Sequence, residues 1–226
     1  MILLFILFAI IVFFPYLLIP IIIFLGIGFL FLLPYAFVFN SFYNVLTIPW
    51  QIIKIATDQR IRKNHSLEHA TINVLEERYG RTLQIGGLAQ SNGFSLSGPD
   101  LPLPYEVMNA VREGHFRMMN GDKNLAIHSR CGTSIAAVNF LFSLVFIIIL
   151  FSSHHFTLFN AVVAFLLANI LAKPFGRIIQ KHFTTHPIVD DVAIQDIYCE
   201  SLNHNFPFAL VITVNRKYFI KTYQSN

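Results

Sequence analysis

The N-terminal stretch of the chain carries no charged side chain before Lys54. It holds two apolar runs, residues 2–14 and 21–39, separated by a proline-containing segment that begins at Pro15. A helix needs about 20 apolar residues to cross the hydrocarbon core of a bilayer. The second run is long enough, and the first is long enough only if it continues past Pro15. We predict a transmembrane hairpin in residues 1–40, with one long, kinked span as the alternative.

The composition indicates a membrane protein. Of 226 residues, 55% are hydrophobic and 12% are charged, whereas soluble domains carry about 25% charged residues. The net charge of +4 is modest, and the aromatic residues lie mostly in apolar runs, so nucleic acid is not an expected partner. The expected partner is the lipid bilayer. Cys131 and Cys199 are too far apart in sequence to suggest a disulfide framework.

A second apolar pair of segments predicts another transmembrane hairpin in residues 134–172. Residues 41–63 mix Trp50 and isoleucines with charged side chains, a pattern typical of an interfacial helix. All sixteen Lys and Arg residues lie between residues 54 and 133 or after 172. The positive-inside rule then places these regions in the cytoplasm, in a plasma or thylakoid membrane with three to four spans.

Residues 64–133 have the composition of a soluble domain and predict an α-β-β-α unit. The expected bounds are a helix over 65–79, strands over 82–90 and 94–97, and a second helix over 105–120. Gly114 in the second helix indicates close helix packing, and Gly86-Gly87 in the first strand indicates a bulge or a close backbone approach. In the tail, residues 173–226, we expect strands over 208–214 and 218–223 that pair with this unit. The predicted fold class is an α+β membrane protein.

The segment from His65 to His69 contains His-x-x-Glu-His, the inverted form of a zinc-peptidase helix motif. A helix advances about 100° per residue, so His65, Glu68 and His69 share one face. Two imidazoles one turn apart can bind one ion, and zinc is the expected cofactor. Glu68 is then placed to take a proton from water as a general base. The non-functional interpretation is a pair of surface or capping histidines.

A third ligand is needed, and the sequence offers His128 and Cys131. Glu76 lies about 10 Å along the helix axis from His69, too far to share an ion. His128 ends the domain that His65 begins, so a compact unit could bring the two together. Cys131 would be a fourth ligand, making the site closed and structural, or it would be a small buried apolar residue.

Three passages together resemble a family of uncharacterised cyanobacterial membrane proteins: Arg62-x-x-His65-x-Leu67-Glu68-His69-Ala70-Thr71, Gly93-Phe94, and His128-x-x-Cys131-Gly132-Thr133. The resemblance extends to Gly176-Arg177-x-x-Gln180 and Thr184-Thr185. It implies a membrane location.

The motif His65-x-x-Glu68-His69 also resembles the inverzincin metallopeptidases. That resemblance implies two zinc-binding histidines and a glutamate base. The family's third ligand, a later glutamate, has no obvious match in this chain.

Two alternative functions follow, of which the first is favoured. The first is a zinc-dependent hydrolase at the cytoplasmic membrane surface that acts on a membrane or peptide substrate. The second is a non-catalytic assembly or scaffold protein in which the same residues form a structural metal clamp or a hydrogen-bonded one.

Overall fold

The computed structural model describes residues 15–153, 157–199 and 216–224, together with residues 6 and 8. The elements in chain order are α1 (Pro15–Thr57), α2 (Gln59–Tyr79), β1 (Gly86–Gln90), β2 (Gly93–Gly98), α3 (Pro104–Met119), a 3₁₀ turn (Lys123–Ala126), α4 (Gly132–Ser153), α5 (Leu158–Ile179), a π-helical turn (Gln180–Thr184), β3 (Val192–Cys199) and β4 (Arg216–Gln224). The predicted α-β-β-α order of the middle domain is confirmed.

The four strands form one antiparallel sheet in the order β1-β2-β4-β3. β4 lies beside β2, with Phe94 opposite Ile220, so the expected pairing of the tail with the middle domain is confirmed. The sequence did not predict β3. This strand lies at the sheet edge and exposes five of its eight residues, which permits a sequence that includes Gln195 and Asp196 and does not alternate apolar with polar residues. The strand predicted over 208–214 lies outside the described residues.

A hydrophobic core joins the sheet to α2 and α3. It includes Leu67, Phe94 and Ile220, each at most 1% exposed. A Cβ atom added at Gly114 would lie 3.1 Å from the Cβ of Ala70, so the absence of a side chain lets α3 approach α2. The predicted close packing at Gly114 is confirmed.

The described part of the N-terminal region has no turn at Pro15 or Pro20, where the predicted hairpin would reverse. α1 is continuous from Pro15 to Thr57, across the place where the hairpin turn was expected. Most of the run over residues 2–14 lies outside the described residues. The predicted interfacial helix is divided at Asp58, whose side chain caps α2 by accepting hydrogen bonds from the backbone of Arg60 and Ile61.

Within the described residues, one helix, Gly132–Ser152, is long and apolar enough to cross a membrane. A second candidate consists of Val162–Leu171 and Pro174–Thr184, which are bent by 46° relative to each other. The apolar stretch Ile19–Phe29 in α1 is shorter than a span. The predicted three to four spans are therefore not supported by the described helices, although their composition is consistent with membrane association.

Candidate metal centre

The His-x-x-Glu-His segment lies in the middle of α2 rather than at its start, since α2 begins at Gln59. Every residue from Lys63 to Ile72 is buried. A helix is buried around its whole circumference only where other elements pack on all sides. The histidines are therefore neither surface residues nor helix caps.

His65 is held by a backbone carbonyl and faces a thiol. Its Nδ1 atom lies 2.9 Å from the carbonyl oxygen of Thr184, and its Nε2 atom lies 3.2 Å from Sγ of Cys131. A carbonyl only accepts, so Nδ1 carries a hydrogen and donates it. Burial alone would lower the pKa of His65, but the hydrogen bond to Cys131 and the charge of Glu68 raise it to about 9.

His69 is oriented in the same way. Its Nδ1 atom donates to the carbonyl oxygen of Ala126 over 2.7 Å, which leaves Nε2 as the potential ligand atom. That Nε2 atom is buried and meets the geometric criteria of a hydrogen bond with none of the described residues, although the sulfur of Cys131 is close enough to affect the pKa of His69. Burial and the positive charge of the neighbouring His65 lower the pKa of His69. The ring therefore favours its neutral form, the form that binds metals.

Cys131 lies one residue before the start of α4. Its sulfur contacts the hydroxyl of Thr133 at 2.9 Å and the backbone N–H of Thr133 at 3.4 Å. Burial alone would raise the pKa of the thiol, but the hydrogen bond with His65 and the closeness of His69 lower it to about 4. The site therefore favours the thiolate, which is the metal-binding form of cysteine.

The three side chains form a group that could hold a metal ion. One ligand atom each from His65, His69 and Cys131 lies within 4.8 Å of the other two. Zinc binds nitrogen at about 2.0 Å and sulfur at about 2.3 Å, so neighbouring ligands of one zinc ion lie roughly 3.5 Å apart. Small side-chain movements suffice to reach that geometry. In addition, ligating histidines commonly donate their other N–H to a carbonyl, as both do here.

Glu68 completes the buried centre without acting as an obvious fourth ligand. Its carboxylate lies against Gly87, where an added Cβ atom would overlap it. This contact accounts for the close approach predicted at Gly86-Gly87. The Oε2 atom of Glu68 is buried without a hydrogen-bond partner among the described residues. Burial raises the pKa of Glu68 to about 7, against the opposing effect of His65.

His128, predicted as a ligand, lies beside the group rather than in it. Its ring centroid is 6.0 Å from that of His69, and its Nε2 atom lies 3.3 Å from a carboxylate oxygen of Glu76. Glu76 also pairs with Arg130. The structure thus brings together His65, His69 and Cys131, while Glu76 engages His128.

Sequence reasoning missed the groups that position the site. Gln180 is buried and makes paired hydrogen bonds to the backbone of His128, accepting from its N–H at 3.0 Å and donating to its carbonyl at 2.9 Å. The carbonyls of Thr184 and Ala126 hold the two histidines. Gln180 and Thr184 lie in the passages that resemble the cyanobacterial family, but a backbone carbonyl has no signature in sequence.

A cavity of about 590 Å³ lies next to the centre. Its walls include His128, Glu76, Arg177 and Gln180. His128 therefore both lines the cavity and lies near the ring of His69.

A family model described as a domain of unknown function, DUF6391, matches residues 60–197. An uncharacterised protein of Picosynechococcus sp. is 38% identical over 85 residues, which cover 34% of this chain and 40% of that protein. No solved structure matches the chain.

Proposed function

In this member of the DUF6391 family, whose matched residues 60–197 contain the whole centre, we propose that the centre is the active site of a membrane-associated, zinc-dependent hydrolase. His65, His69 and Cys131 hold the ion, and Glu68 is the general base. Peptide bonds at the membrane surface are the proposed substrate class.

The observation that carries this proposal is the buried Nε2 atom of His69. A buried polar atom without a partner costs about 1–3 kcal/mol. The same ring is fixed by Ala126 so that this atom points toward the group formed with His65 and Cys131. A metal ion at that position would satisfy the Nε2 atom and use the thiolate and the second imidazole as well.

The donor set favours zinc. Two imidazoles and one thiolate suit a borderline-soft ion. Three protein ligands are also the number found in catalytic zinc sites, which keep one position open. When bound, zinc would supply Lewis-acid activation of water and of a carbonyl group.

Glu68 is suited to move the proton. It precedes the ligand His69 in the same helix turn, and its Oε2 atom has no competing partner among the described residues. Its position against Gly87 holds the carboxylate inside the centre. In this scheme Glu68 would accept a proton from a water molecule as the water oxygen bonds to the peptide carbonyl carbon, and would give that proton to the leaving amine as the C–N bond breaks.

The membrane context supports a substrate at the bilayer surface. Cys131 lies one residue before the membrane-length helix Gly132–Ser152, so the centre lies at one end of that helix. We also propose that apolar parts of α1 and α5 lie in the bilayer. α1 packs against α4 through Phe37 and Phe142 and through a hydrogen bond of 3.1 Å from Asn44 to Ser143. The distribution of Lys and Arg supports a cytoplasmic location for the centre.

One observation favours the structural alternative. All three ligand residues are buried, and together with their carbonyl partners they join α2, the 3₁₀ turn, the start of α4 and the π-helical turn. A metal ion, or the hydrogen bonds alone, could serve to clamp these elements. In that case Glu68 or another protein group would occupy the fourth coordination position of the ion.

Metal analysis of the purified protein tests the metal site. We expect about one zinc ion per chain in the wild type and in the His182→Ala variant, whose histidine is exposed, and a large loss in His69→Ala. The proposed metal site is wrong if two conditions hold for both the wild type and the control variant: neither contains a transition metal after purification without chelators, and neither can be loaded with zinc.

The Glu68→Gln variant separates the two functions. A general base can be removed while the ion stays bound, so the enzyme proposal predicts normal zinc content and loss of cleavage of a fluorogenic peptide mixture in detergent. Loss of zinc, or of the folded state, in Glu68→Gln would indicate the structural clamp instead.

A further inference from the structure

A second cleft, which adjoins the candidate metal centre, carries three basic side chains. Its volume is about 580 Å³, and it lies between the 3₁₀ turn and the junction of α5 with the π-helical turn. Lys123 comes from the first of these elements, and Arg177 and Lys181 come from the second.

The positive charge in this cleft is not compensated by its walls. The described residues that line it include no carboxylate. Asp122 is adjacent to Lys123 in sequence, but its carboxylate pairs with Arg117 at 2.8 Å. A further cation lies nearby, since Arg62 donates to the carbonyl oxygen of Thr185, a wall residue, over 2.9 Å. Such an arrangement favours binding of an anion.

The cleft lies where the chain leaves the apolar helix. Val162–Leu171 and Pro174–Thr184 are bent by 46°, as expected at a proline inside a helix. Arg177 and Lys181 lie in the bent segment, and both side chains line the cleft. Ile178 and Phe183 in the same segment are 52% and 49% exposed. Basic residues beside exposed apolar ones are typical of a segment at the headgroup level of a bilayer.

We propose that this basic cleft binds a phosphate group, supplied by the headgroup of an anionic phospholipid. Three cations within one concave surface suit a phosphate diester or monoester, and the exposed apolar side chains of Ile178 and Phe183 suit the adjoining acyl chains. A neutral zwitterionic headgroup would gain less, because its own cation would meet the same positive charges.

The cleft shares its walls with the metal centre. Ala126 lines the cleft, and its carbonyl accepts the hydrogen bond from His69. Thr185 also lines the cleft and follows Thr184, whose carbonyl holds His65. A bound headgroup would therefore steady both backbone segments that orient the histidines. The proposal for the cleft itself does not depend on a metal being bound.

The test uses the full chain purified in a neutral detergent, with its melting temperature followed as ligand is added. The ligands are phosphatidylglycerol, phosphatidylcholine and inorganic phosphate. The test variant is Lys123→Gln/Lys181→Gln. The control is Arg112→Gln/Lys221→Gln, which removes the same charge at two exposed sites on α3 and β4.

We expect phosphatidylglycerol to raise the melting temperature of the wild type and the control, and phosphatidylcholine to have little effect. Each cation near an anionic headgroup contributes about a fivefold change in affinity. The test variant should therefore bind phosphatidylglycerol about 25-fold more weakly. The conservative variant Lys181→Arg should retain binding, which separates loss of charge from loss of folding.

A different result is that inorganic phosphate stabilises the wild type as strongly as phosphatidylglycerol does, and that the test variant loses this effect. That result would show that the cleft binds free phosphate rather than a lipid headgroup. Equal stabilisation by the two lipids would overturn the proposal, and so would equal loss of binding in the control and test variants.

Discussion

Nε2 of His65 lies 3.2 Å from Sγ of Cys131, although the two residues are 66 positions apart in the chain. The contact joins the middle of a helix to the residue that precedes a membrane-length helix. Each atom is a good metal ligand, and each is fixed by further hydrogen bonds of its own residue. The candidate metal centre thus lies at the junction between the α-β-β-α domain and the apolar helices.

Replacing Cys131 should weaken zinc binding strongly. Loss of a partner outside the ligand shell costs about 10–100-fold in metal affinity, so loss of a ligand in Cys131→Ala should exceed about 100-fold. Competition with a chromophoric chelator measures the affinity, and Cys199→Ala, which removes the exposed free cysteine, is the control. Equal affinity in the wild type and Cys131→Ala would remove this cysteine from the ligand set.

Bound metal should protect one cysteine from alkylation and leave the other unchanged. Cys131 is buried and Cys199 is exposed, and both are free. A metal-bound thiolate is a poorer nucleophile, so iodoacetamide should label Cys131 faster after treatment with a chelator, while Cys199 is labelled at the same rate throughout. Mass spectrometry of the two cysteine peptides gives both rates in one sample. A rate for Cys131 that does not respond to chelator or added zinc would contradict metal ligation.

Adding a methyl group at Gly87 should displace Glu68. The added Cβ atom would overlap the carboxylate, so Gly87→Ala should lower hydrolytic activity and cost about 1–3 kcal/mol of stability. Gly86→Ala is the matched control, because the nearest atom to its Cβ would be the carbonyl oxygen of Ser97 at 3.9 Å. The free energy of unfolding in urea and the rate of peptide cleavage should therefore fall in Gly87→Ala and stay near the wild-type values in Gly86→Ala. Similar behaviour of the two variants would argue against the position assigned to Glu68.

The interactions of Glu76 should contribute stability that is lost in acid. Although burial raises its pKa, hydrogen bonds from the backbone of Leu83 and from His128, with the charge of Arg130, lower the pKa below 4.5. A carboxyl group with a lowered pKa in the folded state stabilises that state above its unfolded pKa, and this contribution disappears as the pH falls through the folded value. The difference in melting temperature between the wild type and Glu76→Gln should therefore be largest near pH 7, and shrink below about pH 4.5. A constant difference from pH 7 to pH 3 would contradict this.

The tail strand β4 should be needed for folding. Ile220 is fully buried and lies opposite Phe94, so Ile220→Ala should cost about 2–5 kcal/mol. Tyr223 on the same strand is 59% exposed, and Tyr223→Ala should cost much less. Chemical denaturation in detergent compares the two. A small effect of Ile220→Ala would mean that the middle domain is stable without the tail.

Local patterns predicted the parts of the fold that depend on neighbouring residues. The α-β-β-α order, the close approach at Gly114 and the strand over 218–223 follow from periodicity, glycine and turn residues. The turn predicted at Pro15 and Pro20 is absent from the described residues, where α1 runs from Pro15 to Thr57, because a helix tolerates proline when neighbouring groups satisfy the freed backbone. β3 was missed because an edge strand needs little apolar alternation.

The sequence by itself determined that His65, Glu68 and His69 share one helix face, because the helical repeat places residues three and four apart together. Only the tertiary structure decided the other contacts, because they join residues 52 or more positions apart. It brought Cys131 to His65, turned His128 toward Glu76, and supplied the carbonyls of Ala126 and Thr184. Those contacts depend on how α2, α4 and the turn after α5 pack, and that packing is determined by the whole buried core rather than by any local motif.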